Sequence, residues 1–367
     1  MPVKFLIPAL ALVATPVIAE VPQIVTDIVP VRGLVARVMD GIGEPQVLVP
    51  PGASPHGFSL RPSDARALSS ADAVFWIGGA LTPWLEESID QLATGASHIA
   101  LLEAAGTVRL DYRTEATFGS DHDAEHDHDH ADGEDHSHGA KEGHDHDHAH
   151  DEGHEHAHDE GHEHDHDHEE GHDHDHDHDH AQAEDHDDHG HHDHDHHGVD
   201  PHAWLSPANG QLWLSVIAEE LARLDPEHAE QYRANAVAGQ AEIEAIVAEV
   251  SQTLAGNEGT FLVFHDAYQY FEASFGLTSL GSISLSDASE PSVARIAELR
   301  DAVAEAGVSC VFSEPQFKPG LVQSVTESSE VKALVIDPLG MEIPADADFY
   351  PTLLSTVGTS FRDCLAK

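Results

Sequence analysis

Three histidines lie in separate short motifs whose neighbours give each side chain a defined setting. The three are His56 in GASPHGFSLRPSD (52–64), His202 in VDPHAWLSP (199–207) and His265 in FHDAY (264–268). Neutral imidazole is a borderline ligand that suits zinc, copper and nickel. Three imidazoles and one oxygen form a good tetrahedral zinc site, whereas manganese prefers more oxygen ligands. The motifs therefore predict metal binding, provided that the fold brings the three rings together.

A second histidine feature is the composition of residues 121–197, which are almost entirely His, Asp, Glu and Gly. Of the 34 histidines in the chain, 29 lie in this segment, as in HDHDHDHDH at 172–180. A segment of this composition has too few apolar residues to bury the surface that would offset the entropy lost on ordering. We therefore expect a disordered loop. A solubilising acidic linker would not need His at alternate positions, which favours metal binding. Without a fixed geometry each site should be weak, so we expect the loop to gather or buffer zinc.

The acidic charge of the chain excludes some classes of partner. The formal net charge is −52, and 31 of the 68 acidic residues lie in residues 121–197 beside a single basic residue, Lys141. Such a surface repels nucleic acid and anionic lipid, and it attracts cations. We therefore expect no nucleic-acid partner.

The first nineteen residues have the pattern of a secretory signal. A basic Lys4 precedes an apolar stretch from Phe5 to Val17, and small residues end at Ala19. The stretch is shorter than the roughly 20 apolar residues that span a bilayer, and two prolines interrupt it. We therefore expect a cleavable signal peptide at 1–19 and export of the rest of the chain.

The chain has two cysteines, Cys310 and Cys364. Oxidising conditions outside the cytoplasm favour a disulfide between them. Two buried free thiols are the alternative. A metal site made from both thiolates is disfavoured, because neither lies in a close cluster of Cys or His.

Strands that alternate with helices on both sides of the His-rich loop predict two α/β halves. The strands expected in the first half are 23–26, 46–49, 73–76 and 98–101, with helices at 30–40, 63–70 and 83–93. The strands expected in the second half are 260–264, 310–312 and 333–336, with helices at 267–275, 292–306 and 350–364. This alternation is typical of a parallel sheet that is covered on both faces.

Between the two halves, helices are expected at 208–223 and from Pro226 to Leu254. The apolar residues that recur at helical spacing in the longer one are Ile243, Ile246, Val247, Val250 and Leu254. A helix of this length predicts a rigid connection between two lobes. The expected organisation is a signal peptide (1–19), an N-terminal α/β lobe (20–225) that contains the loop (121–197), a linking helix (226–255) and a C-terminal α/β lobe (256–367).

Three polar side chains follow predicted strands. His56 comes after the strand that ends at Val49, His265 follows the strand at 260–264, and Asp337 follows the strand at 333–336. Ligands of open α/β sheets collect beyond the carboxyl ends of the strands. These three side chains are therefore placed where a binding site is expected.

The three histidine motifs, together with FSEPQF (312–317) and DPLG (337–340), resemble those of the ZnuA-type zinc-binding proteins of ABC importers. The resemblance covers essentially the whole chain after the signal, and the motifs occur in the same order. It implies two lobes joined by one long helix, with zinc held between them by His56, His202 and His265. It also implies a disulfide between Cys310 and Cys364, and a monomeric periplasmic protein, not an enzyme, that delivers zinc to an inner-membrane ABC permease.

One departure from the family concerns the fourth zinc ligand. Many relatives carry Glu immediately before the first His, and here that position is Pro55, which has no donor. The fourth ligand is then either Asp337, which closes the site in manganese-binding relatives, or water.

Two carboxylates next to the motif histidines, Asp200 and Asp266, are candidates to orient ligand rings by accepting hydrogen bonds. His98 and His228 lie outside the motifs, and we assign them structural or surface roles. Two other function classes stay open. One is a zinc hydrolase, because three His and water also form a catalytic zinc site. The other is an adhesion or metal-storage protein. A hydrolase needs a general base, and the sequence has neither an HExxH helix nor a nucleophile motif.

Overall fold

The computed structural model describes residues 21–113, 117–118, 198–284, 291–317, 320–326 and 331–366. The expected signal peptide (1–19) and the expected disordered loop (121–197) lie outside the described residues. Within the described ranges, no helix is both long and apolar enough to cross a bilayer.

The first sheet is parallel and has four strands. They are β1 (Ile24–Thr26), β2 (Gln46–Val47), β3 (Ala73–Trp76) and β4 (Ser97–Ala100), in the order β2-β1-β3-β4. The helices that alternate with them are α1 (Val29–Val38), α2 (Pro62–Ser69) and α3 (Pro83–Leu92). β1 and β3 are buried along their whole length, as expected when helices cover both faces of a parallel sheet.

Two long helices, α4 (Pro207–Leu224) and α5 (Ala229–Leu254), follow the first sheet. With 26 residues, α5 is about 39 Å long at 1.5 Å per residue. The apolar stripe expected on this helix faces the interior, with Ile243, Val250 and Leu254 buried. The helix begins three residues later than predicted because Asp225 and His228 close a turn, in which the backbone N–H of His228 donates to the Asp225 carbonyl.

The second sheet repeats the plan of the first. Its parallel strands are β5 (Phe261–His265), β6 (Ser279–Ser284), β7 (Cys310–Ser313) and β8 (Lys332–Val335), in the order β6-β5-β7-β8. Its helices are α6 (Gln269–Phe275), α7 (Val293–Ala306) and α8 (Gly320–Thr326), and the last described helix is α9 (Phe349–Leu365). In both sheets the strand order reverses beside the first strand, and ligands of such folds bind at the carboxyl ends of the strands at this point.

This architecture confirms the expected fold class, two α/β lobes joined by a long helix. We call β1–β4 with their helices the first lobe and β5–β8 with theirs the second lobe. The exact boundaries 20–225, 226–255 and 256–367 stay a prediction.

Two elements, β6 and α8, were not predicted. The β6 sequence SLGSIS is rich in Ser and Gly, which are poor strand formers. Its buried hydroxyls are paired across the fold, because Ser279 donates to Glu272 at 2.9 Å and Ser282 accepts from Arg295 at 3.1 Å. The α8 helix has seven residues, too few for a clear helical period.

The two cysteines form a disulfide, as expected for an exported chain. Cys310 lies on β7 and Cys364 lies on α9, with their Cα atoms 5.5 Å apart. Near this bridge, the ring of Phe361 on α9 contacts the rings of Phe261 and Phe312 edge to face. The disulfide therefore joins the last helix to the second sheet beside an aromatic part of the core.

Candidate metal centre

The three motif histidines line one small pocket between the lobes. His56 lies in the loop after β2, His202 lies in the turn before α4, and His265 is the last residue of β5. The other described residues that line the pocket are Pro55, Trp204, Gln316, Pro338 and Leu339. The pocket has a volume of about 10 Å³, close to that of one water-sized sphere. The fold thus brings the three predicted histidines to a cavity the size of a single ion.

His202 is held by a carboxylate two residues before it. Asp200 Oδ1 accepts hydrogen bonds from the backbone N–H of His202 at 2.9 Å and from its ring Nδ1 at 2.7 Å. When Asp200 is ionised it accepts and does not donate, so Nδ1 of His202 carries the ring proton and Nε2 presents a lone pair. Burial raises the pKa of Asp200 to about 7, while the His202 backbone N–H and the charge of Arg113 act in the opposite direction. This is the ring contact expected of Asp200.

His265 is oriented in the same manner by a residue of the neighbouring strand. Its Nδ1 lies 2.7 Å from Oε1 of Glu314, which is 2% exposed and directly follows β7. Because β7 pairs with β5, the two residues lie where the strand order of the second sheet reverses. Glu314 was not predicted from the sequence, although its position after a buried strand is the signal that indicated His265.

The other nitrogens of these two rings face each other. Nε2 of His202 lies 3.3 Å from Nε2 of His265, and the ring centroids are 5.1 Å apart. Two nitrogens bound to a tetrahedral zinc ion at 2.0–2.1 Å lie about 3.3–3.4 Å from each other. The spacing of the pair therefore matches that of two zinc ligands.

His56 approaches this pair from the first lobe at a larger distance. Its ring centroid lies 5.9 Å from that of His202. In the part of the chain that the structure describes, no group of three or more His, Cys, Asp or Glu side chains is arranged to hold a metal ion. The structure thus brings His202 and His265 to ligand spacing and places His56 beside them.

Asp337 follows β8 next to the pocket, but it is not among the described residues that line it. Its Oδ1 accepts from the backbone N–H groups of Leu339 and Gly340, both at 2.9 Å, and its Oδ2 accepts from Met341 at 2.6 Å. Both carboxylate oxygens are therefore engaged with the turn that positions Pro338 and Leu339 at the pocket.

Asp266 forms an ion pair in the structure, and its predicted contact with a ligand ring stays a prediction. Its carboxylate forms an ion pair with Arg113, which also pairs with Glu272 at 2.9 Å. Burial raises the pKa of Asp266, and the hydrogen bond and charge of Arg113 oppose that rise. The guanidinium carbon of Arg113 also lies 3.9 Å from the ring centroid of Phe118. Asp266 thus fixes the chain that precedes the His-rich segment to the second lobe.

The backbone segments before and after residues 121–197 form hydrogen bonds with each other. Asp111 and Val199 form an antiparallel bridge, and the N–H of Asp200 donates to the carbonyl of Leu110 at 2.8 Å. The hydroxyl of Tyr270 donates to the carbonyl of Asp200 at 2.8 Å. The carboxylate that orients His202 therefore sits on a fixed backbone.

The turn that carries His202 is anchored to the far side of the pocket. Trp204 Nε1 donates to the carbonyl of Pro338 at 2.8 Å, and the Tyr350 hydroxyl donates to the carbonyl of Trp204 at 2.6 Å. A Cβ atom at Gly210 would lie 2.4 Å from the Tyr350 hydroxyl oxygen. Glycine at this position therefore lets Tyr350 reach the turn.

The two histidines that we assigned to structural roles make contacts away from the pocket. His98 on β4 lies with Nε2 2.8 Å from the carbonyl of Ala93, and His228 lies with Nδ1 2.6 Å from Asp225 Oδ2. Both contacts are consistent with support of the local fold.

Comparison with family models matches residues 24–364 to the ZnuA family, described as zinc-uptake complex component A, periplasmic. The chain belongs to this family. It is 44% identical over 359 residues to the high-affinity zinc uptake system protein ZnuA of Paracoccus denitrificans, covering 97% of this chain and 96% of the relative. The protein of the same name from Brucella suis is 40% identical over 345 residues, covering 94% and 92%. A crystal structure of ZnuA matches the fold with a TM-score of 0.65 at 21% identity, covering 95% of this chain and 100% of that one.

Membership in the ZnuA family confirms the resemblance found in the motifs. The chain is a periplasmic component of a zinc-uptake system, and zinc is the ion that it carries. The family is one of solute-binding proteins, so the hydrolase that the three histidines left open is excluded.

Proposed function

We propose that this ZnuA-family protein captures Zn²⁺ between its lobes with His56, His202 and His265 and delivers it to an inner-membrane ABC permease. The observation that carries the proposal is the 3.3 Å separation of the Nε2 atoms of His202 and His265. With both rings neutral and protonated at Nδ1, two lone pairs face each other at this distance and repel, and a cation between them removes the repulsion. The pair therefore favours an ion that binds imidazole.

The fixed ring orientations support zinc as that ion. The Nδ1 atoms of His202 and His265 face the buried carboxylates of Asp200 and Glu314. Such contacts set the tautomer and raise the basicity of the ligating nitrogen. A shell of neutral imidazoles suits zinc and disfavours manganese, which prefers oxygen.

His56 would complete the three-histidine set from a loop. Residues 48–61 between β2 and α2 contain no helix or strand, so a rotation of the His56 side chain and a small shift of this loop can bring its ring to the pair. Because His56 belongs to the first lobe and His265 to the second, an ion bound by both would hold the lobes together.

The sequence left Asp337 and water as alternatives for the fourth ligand. Three backbone N–H groups already donate to the Asp337 carboxylate. These bonds support a role for Asp337 in holding the turn at the pocket, and its direct binding to zinc stays one of the two predicted alternatives.

Substitution of each histidine by Ala tests the site. We expect His56→Ala, His202→Ala and His265→Ala each to weaken the tightest zinc-binding event by about 100-fold or more, beyond the 10–100-fold typical for residues that only support a ligand. The matched controls are His98→Ala and His228→Ala, which remove an imidazole elsewhere. Affinity is measured by competition with a zinc chelator. Wild-type affinity in all three pocket variants would contradict the proposal.

We further propose that residues 121–197 form a second, weaker class of zinc sites that gathers or buffers the ion. The support is the 29 histidines of this segment and the position of Asp200, which orients His202 and follows the segment by three residues. Zinc released by the segment would therefore be released close in sequence to the pocket.

Calorimetric titration with and without residues 121–197 tests the two classes. We expect several weak events and one tight event in the full protein, and loss of the weak events alone on deletion. Both classes should weaken below about pH 6, because a ligating imidazole must be neutral and its unperturbed pKa is about 6.5. Loss of the tight event on deletion, or an unchanged total stoichiometry, would contradict the two-class proposal.

Export by a cleavable signal at 1–19 and a monomeric state complete the proposal. The periplasmic location of the family supports the first of these. Amino-terminal sequencing of the exported protein should begin near Glu20, and its mass in solution should be that of one chain.

A further inference from the structure

Gln316 is the pocket residue that neither the motifs nor the three-histidine set accounts for. Of the described residues that line the pocket, it is the one whose side chain carries an oxygen. Pro55, at the position next to His56, has no side-chain donor. A neutral oxygen ligand for zinc is therefore available within the pocket itself.

The orientation of the Gln316 amide follows from its partner. Its Nε2 donates to Oε2 of Glu314 at 3.1 Å, and the other oxygen of Glu314 accepts from His265 Nδ1 at 2.7 Å. A carboxylate accepts hydrogen bonds, so the NH₂ group of the amide must face Glu314. The amide oxygen, Oε1, then occupies the other branch of the side chain. One buried carboxylate thus fixes both the tautomer of a zinc ligand and the direction of a neighbouring amide.

Gln316 is better placed than Asp337 to supply an oxygen ligand, because Gln316 lines the pocket and Asp337 is not among the described residues that do. Asp337, the other candidate, already accepts three backbone hydrogen bonds.

We propose that Oε1 of Gln316 is the fourth ligand of the zinc site, an inference that rests on the proposed three-histidine pocket. Four neutral ligands leave the full charge of the ion uncompensated in the first coordination shell. A carboxylate in this position would bind the ion more strongly and would also suit manganese. An amide oxygen therefore gives a site that selects zinc through its imidazoles and can still release it to a transporter.

The test uses Co²⁺ as a spectroscopic probe in the full chain. The spectrum of a His202→Ala/His265→Ala double variant is subtracted, because this variant keeps the His-rich segment and loses the pocket. The difference spectrum of the wild type should be that of four-coordinate Co²⁺ with imidazole and oxygen ligands. Gln316→Met, which keeps the length of the side chain and removes both polar atoms, should change this spectrum and weaken zinc binding by more than the 10–100-fold typical for residues that only support a ligand.

Two further variants separate a ligand from a residue that only supports Glu314. Gln316→Glu keeps an oxygen and loses the N–H donor, so it should restore the four-coordinate spectrum, bind zinc at least as tightly as the wild type and gain affinity for Mn²⁺. Gln323→Met, on the exposed side of α8, should leave spectrum and affinity unchanged. Thermal unfolding confirms that each variant is folded.

The outcomes distinguish this inference from the function on which it rests. If Gln316→Met leaves the Co²⁺ difference spectrum unchanged, or Gln316→Glu behaves like Gln316→Met, Gln316 is not a ligand while the three-histidine pocket stands. If the wild type itself gives no difference spectrum, the pocket does not bind the metal, and both proposals are wrong.

Discussion

Two Asp–His pairs of the described residues have the same short contact with the ring Nδ1 and different settings. Asp200 lies 2.7 Å from Nδ1 of His202, and Asp225 lies 2.6 Å from Nδ1 of His228. His202 is 4% exposed and lines the pocket, whereas His228 is partly exposed beside the start of α5. In both pairs the carboxylate fixes the Nδ1 proton. Of the two histidines, only His202 then presents its Nε2 to a second imidazole, that of His265.

This comparison gives a prediction at the residue scale. Asp200→Ala should weaken the tight zinc-binding event by about 10–100-fold, because His202 loses the acceptor that sets its tautomer. Asp225→Ala removes the same kind of contact and should leave zinc affinity at the wild-type value. Chelator competition measures both. An equal loss in the two variants would indicate that the effect is one of general stability and not of ring orientation.

The motifs identified the histidines of the pocket but not all of their partners. Asp200 was found because it lies two residues from His202 in one motif. Glu314 contacts His265 from 49 residues away, and the contact exists because β7, which Glu314 directly follows, pairs with β5. Strand order decides such pairs, and alternation of strands and helices along the chain does not reveal strand order.

At the scale of elements, strands rich in Val, Ile and Phe were recognisable and β6 was not. Burial of β6 depends on partners from other elements, including Glu272 on α6 and Arg295 on α7. A polar strand that is stabilised in this way has no apolar signature of its own. The same limit applies to Asp266, whose partner Arg113 lies 153 residues away in the chain.

The Arg113 contacts give a prediction at this scale. Arg113→Met leaves the side chains of Asp266 and Glu272, 2% and 4% exposed, without their cation, and the free energy of unfolding should fall by about 3–5 kcal/mol. The matched control is Arg233→Met, whose partner Glu219 is exposed and whose loss should have little effect. Urea unfolding measures both. A loss for Arg113→Met as small as that of the control would contradict the role of this ion pair.

At the scale of the whole molecule, the lobes share part of their core. One cluster of buried apolar side chains includes Ile24 and Phe75 of the first lobe and Phe261 and Phe312 of the second. α5 and the two-lobe plan were predictable from the helical stripe and the repeated alternation. The shared core was not, because it depends on how the lobes face each other. In the proposed capture of zinc, this shared core favours a movement of His56 and its loop over a large separation of the lobes.

The most direct measurement of the central claim is anomalous diffraction at the zinc absorption edge, from crystals of the protein grown with one equivalent of zinc. The strongest peak should lie in the pocket, 2.0–2.1 Å from Nε2 of both His202 and His265 and within the same distance of a ring nitrogen of His56. A strongest peak outside the pocket, or one bound by fewer than these three rings, would contradict the account.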